Sequence, residues 1–193
     1  MSYYEILLFL HITMAIVWLG SGFFLQVVLF RAERTADKLL IRQMSAHTGW
    51  LAQRIFIPAS LAVLVLGILL TIEGPWSFDQ LWILVGLAGS AASFLVGILF
   101  LEPEGKRIHA AIEAHGPESP EAAFHVRRIN IVSRVELCVL YVVVFDMALK
   151  PSTDDTGTLI VGIATLLAAI AWGARGIRRP LTGSEAAATA AAE

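Results

Sequence analysis

Few side chains in this sequence can do chemistry, and those few stand inside apolar runs. His11 lies in LLFLHITMAIVWLGSGFFLQ, and the run from Ile6 to Phe30 holds no other ionisable side chain. An imidazole in that setting is an axial ligand for haem iron, a site for a soft metal such as copper, or a hydrogen-bonding partner for a neighbouring helix. The sequence leaves these readings open. No second histidine shares its depth, because His47 lies near the opposite membrane face and His109, His115 and His125 lie in a polar connector. A haem b held by His11 is therefore five-coordinate or takes Tyr141 as a weak partner, with Trp18 as the adjoining aromatic. For copper, the soft donors are Met14, Cys138 and Met147.

The second group is acidic and basic. Glu136 sits in mid-run in NIVSRVELCVLYVVVFDMAL, and an acid there costs on the order of 3 kcal/mol unless it is paired or hydrated. Arg54 is the expected partner. Arg134 is only two positions away and points elsewhere on its helix. An Arg54–Glu136 pair reads as a structural lock between two spans, and the alternative is a transport or proton role. Asp146, near the end of the same run, is within reach of the lipid headgroups.

The elements that position these residues are membrane helices. Hydrophobic residues are 57% and charged residues 16% of the chain, against ~45–50% and ~25% in soluble domains. Mean hydropathy is +0.73. That composition excludes a soluble globule. The single cysteine excludes a disulfide framework, and no zinc spacing, phosphate loop or nucleic-acid motif is present. The lipid bilayer is the expected partner, nucleic acid is not, and a homo-oligomer or a larger membrane complex is compatible.

The expectation is an all-α integral membrane bundle, a single domain over residues 1–180, with five transmembrane helices near 3–30, 51–72, 81–101, 131–149 and 158–176. The first is a retained span and not a cleavable signal, since Glu5 is the only charge ahead of it. A short interfacial helix is expected around Leu39, Leu40, Gln43 and Met44, and another over Gly105 to His115. Residues 181–193 read as a disordered low-complexity tail. In the first span Tyr4, Leu8, His11, Ala15, Trp18, Gly22 and Gln26 share one stripe. Small residues make further stripes, Gly86, Ser90, Ser93 and Gly97 in the third span and Gly162, Ala169, Gly173 and Gly176 in the fifth.

Of the 14 Lys and Arg residues, only Lys150 falls on the opposite side of a five-span arrangement from the others. The positive-inside rule then places the N-terminus outside and the C-terminus in the cytoplasm, in a multi-pass protein of the bacterial inner membrane. His11 lies roughly 12 Å below the outer edge, level with Ser90, Tyr141 and Thr165. Gln26, Arg54, Arg134 and Glu136 form an inner layer.

At LHITMAIVWLGSGFF and at ELCVLYVVVFDMALKP, the sequence resembles a small bacterial family of predicted integral membrane proteins that carries only a domain-of-unknown-function label. The resemblance covers most of residues 1–151. The first helix is also similar to those of the copper-resistance D proteins and of the HemJ-type protoporphyrinogen oxidases. In the latter a first-helix histidine, matching His11, is implicated in haem binding. The expected function is binding of haem b or a metal through His11, with copper as the alternative metal. The competing readings are a transporter using Glu136 and Arg54, an accessory subunit packing through the small stripes, and an enzyme of the porphyrinogen oxidase type.

Overall fold

The computed structural model describes residues 2–35, 40, 50–116 and 119–178, with residues 32 and 33 as backbone only. Among them there are helices and turns and no strand. Helix α1 is Tyr3–Thr35, α2 is Ile57–Glu73, α3 is Leu81–Val96, α4 is Glu102–His115, α5 is Pro120–Leu149 and α6 is Thr156–Arg178. The expectations at Leu39, Gln43, Met44, His47 and residues 181–193 lie outside the described residues.

Two π-helical segments interrupt the ladder, Ala52–Phe56 ahead of α2 and Gly97–Leu101 between α3 and α4. Each is followed two residues later by a proline, Pro58 and Pro103. A proline cannot donate to the carbonyl four residues back, so the turn before it is left to widen into the π register. At Pro103 it does not break the helix, so α3 runs on into α4. From Leu81 to His115 that is ~52 Å at ~1.5 Å per residue, well beyond a ~30 Å hydrocarbon layer. Its last turns therefore stand clear of the membrane.

The connector between α4 and α5 is a tight αα-hairpin. Gly116 ends α4 with φ of 85°, a conformation that favours glycine. Ser119 then caps α5 by accepting a hydrogen bond from the Ala122 N–H at 3.2 Å, and Pro120 follows at the first helical position. Helix α5 thus starts well before residue 131, where the span was expected. The apolar faces of the hairpin, Ile108 and Ala111 against Ala122 and Ile129, are buried.

Among the described residues, four stretches are long and apolar enough to cross a membrane, Tyr3–Arg31, Ala52–Glu73, Leu81–His115 and Thr156–Arg178. Helix α5 carries Arg134, Glu136 and Asp146 and is the hub of the bundle. It packs against α3, α4 and α6 and touches α1, while α1 lies mainly along α2. The ionisable residues are thus on the helix with most protein around it. Both small-residue stripes pack onto this hub. A methyl group at Gly86 would collide with Met147 and one at Gly89 with Val143. One at Gly173 would lie 2.6 Å from Val135 Cγ2. The stripe on α1 also faces inward, with Leu7 in place of Leu8, which is exposed.

Candidate functional site

The end of the bundle that holds the start of α1 is an aromatic and cationic cluster. Trp76 Nε1 donates to Tyr4 Oη at 3.1 Å, and the Trp76 and Trp82 rings meet edge to face at 5.0 Å. Lys150 Nζ lies 4.1 Å from the centre of the Trp76 ring. This pins α1, the α2–α3 turn and the end of α5 at the headgroup level.

One helical turn and more below it, His11 faces α2. A Cβ at Gly67 would sit 3.4 Å from His11 Cε1. Nδ1 is buried with no hydrogen-bond partner. The outer polar layer does not assemble around it. Tyr141 is 48% exposed, and Thr165 is exposed and donates to the Val161 carbonyl at 2.8 Å. Tyr141 is thus turned outward, away from the protein interior that holds His11. Trp18 is buried against Ala59, Val63 and Leu140 as a packing residue. The described residues hold no group of three His, Cys, Asp or Glu side chains able to hold a metal ion. A haem or copper at His11 rests on the one open nitrogen.

The other half of the bundle is different. Here Gln26 Nε2 donates to Ser133 Oγ at 3.1 Å and Arg134 Nε donates to Gln26 Oε1 at 3.2 Å, tying α1 to α5. Glu136 Oε1 accepts from the Ser93 hydroxyl at 2.5 Å. The expected Arg54–Glu136 lock is not formed, because Arg54 sits in the π segment with an exposed side chain. Arg54 and Arg134 therefore part company with Glu136, one toward the surface and one toward Gln26. Two ionisable side chains close in depth need not share a face.

Glu136 instead borders a cavity of about 210 Å³ that reaches from Trp18 to the start of α4. Gln26, Gln53, Ser60, Ser93, Asn130, Ser133, Lys106 and His109 line it together with Glu136, and Phe56 and Leu140 are among its apolar wall. Both π segments contribute residues to it, including Gln53 and Gly97. At its mouth Lys106 pairs with Glu102 at 2.9 Å. The sequence placed Trp18 beside His11 and Gln26 and Glu136 in an inner polar layer, with no cavity to join them.

A second carboxylate escaped the sequence reading. Glu104, on α4 beyond the end of the span, is fully buried. Arg107 Nη1 lies 2.8 Å from its Oε2, while His125 Nδ1 and Arg128 Nη1 lie 2.8 and 3.3 Å from its Oε1. Burial pushes its pKa up, but the hydrogen bonds from His125 and Arg107 and the charge of Arg128 outweigh that and hold it below the usual value. The signal was in the spacing. Glu104 and Arg107 share a face of α4, and His125 and Arg128 share a face of α5 across the hairpin.

The family model described as predicted integral membrane protein (DUF2269) matches residues 5–151. No curated protein and no solved structure matches the chain.

Proposed function

The chain belongs to that family of integral membrane proteins, and from the geometry of the inner cavity we propose that it binds a small solute there, held by Glu136. One observation carries the reading: a carboxylate at membrane depth borders a cavity and has a single neutral hydroxyl as its partner. Such a group is kept in a membrane helix against its insertion cost, and a structural role would pair it fully. The basic residues support five crossings with α5 as the fourth, in the bacterial cytoplasmic membrane, with the cavity in the cytoplasmic half. A carrier suits this better than an accessory subunit, because Gly86, Gly173 and Gly176 of the small-residue stripes are taken up against α5.

The test is side-specific labelling. In a Cys138→Ala background, Ser133→Cys should react with a membrane-impermeant maleimide in inside-out vesicles and not in right-side-out ones. A cysteine at Ser77 should show the reverse. Labelling of Ser133→Cys from the outer side, or from neither, would overturn the reading.

A second reading has its own observation, the buried His11 Nδ1 without a partner. It gives haem or copper one protein ligand. Purified from a haem-replete host, the native chain should then show a Soret band or stoichiometric copper, and folded His11→Ala should lose it. A colourless, metal-free native protein ends that reading.

A further inference from the structure

We propose that the end of α6 binds the headgroup of an anionic phospholipid, its phosphate held by Arg175 and Arg178. This surface is separate from the cavity and stands whether or not the cavity takes a solute.

The level follows from length. Helix α6 has 23 residues. That is ~34 Å at ~1.5 Å per residue, close to the thickness of a ~30 Å hydrocarbon layer. Its two ends therefore stand at the two headgroup levels. Asp154 and Asp155 lie just before one end, and Arg175 and Arg178 lie in the last turn at the other.

The direction follows from packing. Gly173 and Gly176 meet Val135 and Ile131 of α5, where an added Cβ would come to 2.6 and 3.1 Å. Arg175 and Arg178 lie off that row and are exposed. Trp172, also exposed, precedes Arg175 by one turn, and exposed Leu167 continues this outward side toward the middle of the span. A lipid lying against α6 thus meets an aliphatic side chain along its tail and an indole near its glycerol. At its phosphate it meets two guanidinium groups.

The charge is left uncompensated by the protein. Acids of the α4–α5 hairpin are taken up within it, Glu102 by Lys106 and Glu104 by Arg107 and Arg128. Among the described residues no acid pairs with Arg175 or Arg178, and α6 carries none of its own. Arg127 Nη2 donates to the Gly176 carbonyl at 2.6 Å. It covers an oxygen that would repel a phosphate at this helix C-terminus. A guanidinium fork matches a pair of phosphate oxygens. In a choline lipid the headgroup's own cation cancels that phosphate, whereas a net-anionic headgroup leaves its charge to the arginines.

The test uses the full-length chain in phosphatidylcholine vesicles, with brominated phosphatidylglycerol or brominated phosphatidylcholine added as a short-range quencher of tryptophan. The Trp172 part of the signal is the part that Trp172→Phe removes. It should report a preference of at least about tenfold for phosphatidylglycerol. Arg175→Gln with Arg178→Gln should bring that preference to within about twofold. Arg175→Lys with Arg178→Lys should keep most of it, which separates loss of charge from loss of fold. Arg31→Gln with Arg34→Gln, on α1, should leave it unchanged. Equal quenching of the native chain by both lipids would overturn the proposal, as would full preference in the double Gln variant or in Trp172→Phe. If inorganic phosphate binds through Arg175 and Arg178 while neither lipid is preferred, the site is one for a soluble anion and the lipid assignment falls.

Discussion

Glu104 and Glu136 are both carboxylates withdrawn from bulk water, and their surroundings are opposite. Glu104 has no exposed surface and is met by Arg107, His125 and Arg128. Glu136 has one hydroxyl, from Ser93, and an adjoining cavity. A carboxylate saturated by protein cations has nothing left to offer a ligand. One that is held but not neutralised does. The first locks a hairpin, and the second is where binding belongs.

Removing one partner of a buried ion cluster costs about 3–5 kcal/mol, because the remaining charges lose their counter-ion. Glu104→Gln should therefore be the most damaging single change, by at least ~3 kcal/mol in reversible unfolding in detergent. Equal or greater damage from Glu136→Gln would invert the comparison.

Acid sharpens it. The folded-state pKa of Glu104 lies below its ordinary value of 4.5. Its contribution is thus fully present above that value and is lost as pH falls through the lowered folded-state pKa. The stability gap between the native chain and Glu104→Gln should be constant above pH 4.5 and narrow below it. A gap that opens on acidification would contradict the assignment.

Ser93→Ala takes away the hydroxyl that holds Glu136 and should cost about 1.5 kcal/mol, the low end for a hydrogen bond to a charge, since cavity water can replace it. Glu136→Gln leaves no orphan cation and should cost less than about 1 kcal/mol. Arg54→Ala should change stability by less than about 0.5 kcal/mol, as for an exposed side chain. A loss of several kcal/mol at Arg54 would restore the ion-pair lock that the sequence suggested.

The helices were legible because hydropathy and charge asymmetry depend on runs of residues and tolerate local error. The stripe on α1 was legible for the same reason, and Trp18, Gly22 and Gln26 do face inward. Partners across helices were not. Depth along a helix can be counted, but the facing direction of Arg54 depends on the register of a π segment, and Pro58 marks only where the ladder is disturbed. Tyr141 failed in the same way: its level was counted, and its face was not. Pro103 was passed over because the polar residues around it looked like a connector, when in fact the helix runs through. Glu104 was missed because its partners lie on two helices whose hairpin geometry is set by Gly116 and Ser119.

The contrast between the two carboxylates can be read in one reaction. A membrane-permeant carbodiimide modifies carboxyl groups that it can reach, and peptide mass spectrometry of the labelled full-length chain reports each site. Glu136, open to its cavity, should be modified. Glu104, enclosed and ion-paired, should stay unmodified. Modification at Glu104 with Glu136 untouched would contradict the account at its centre.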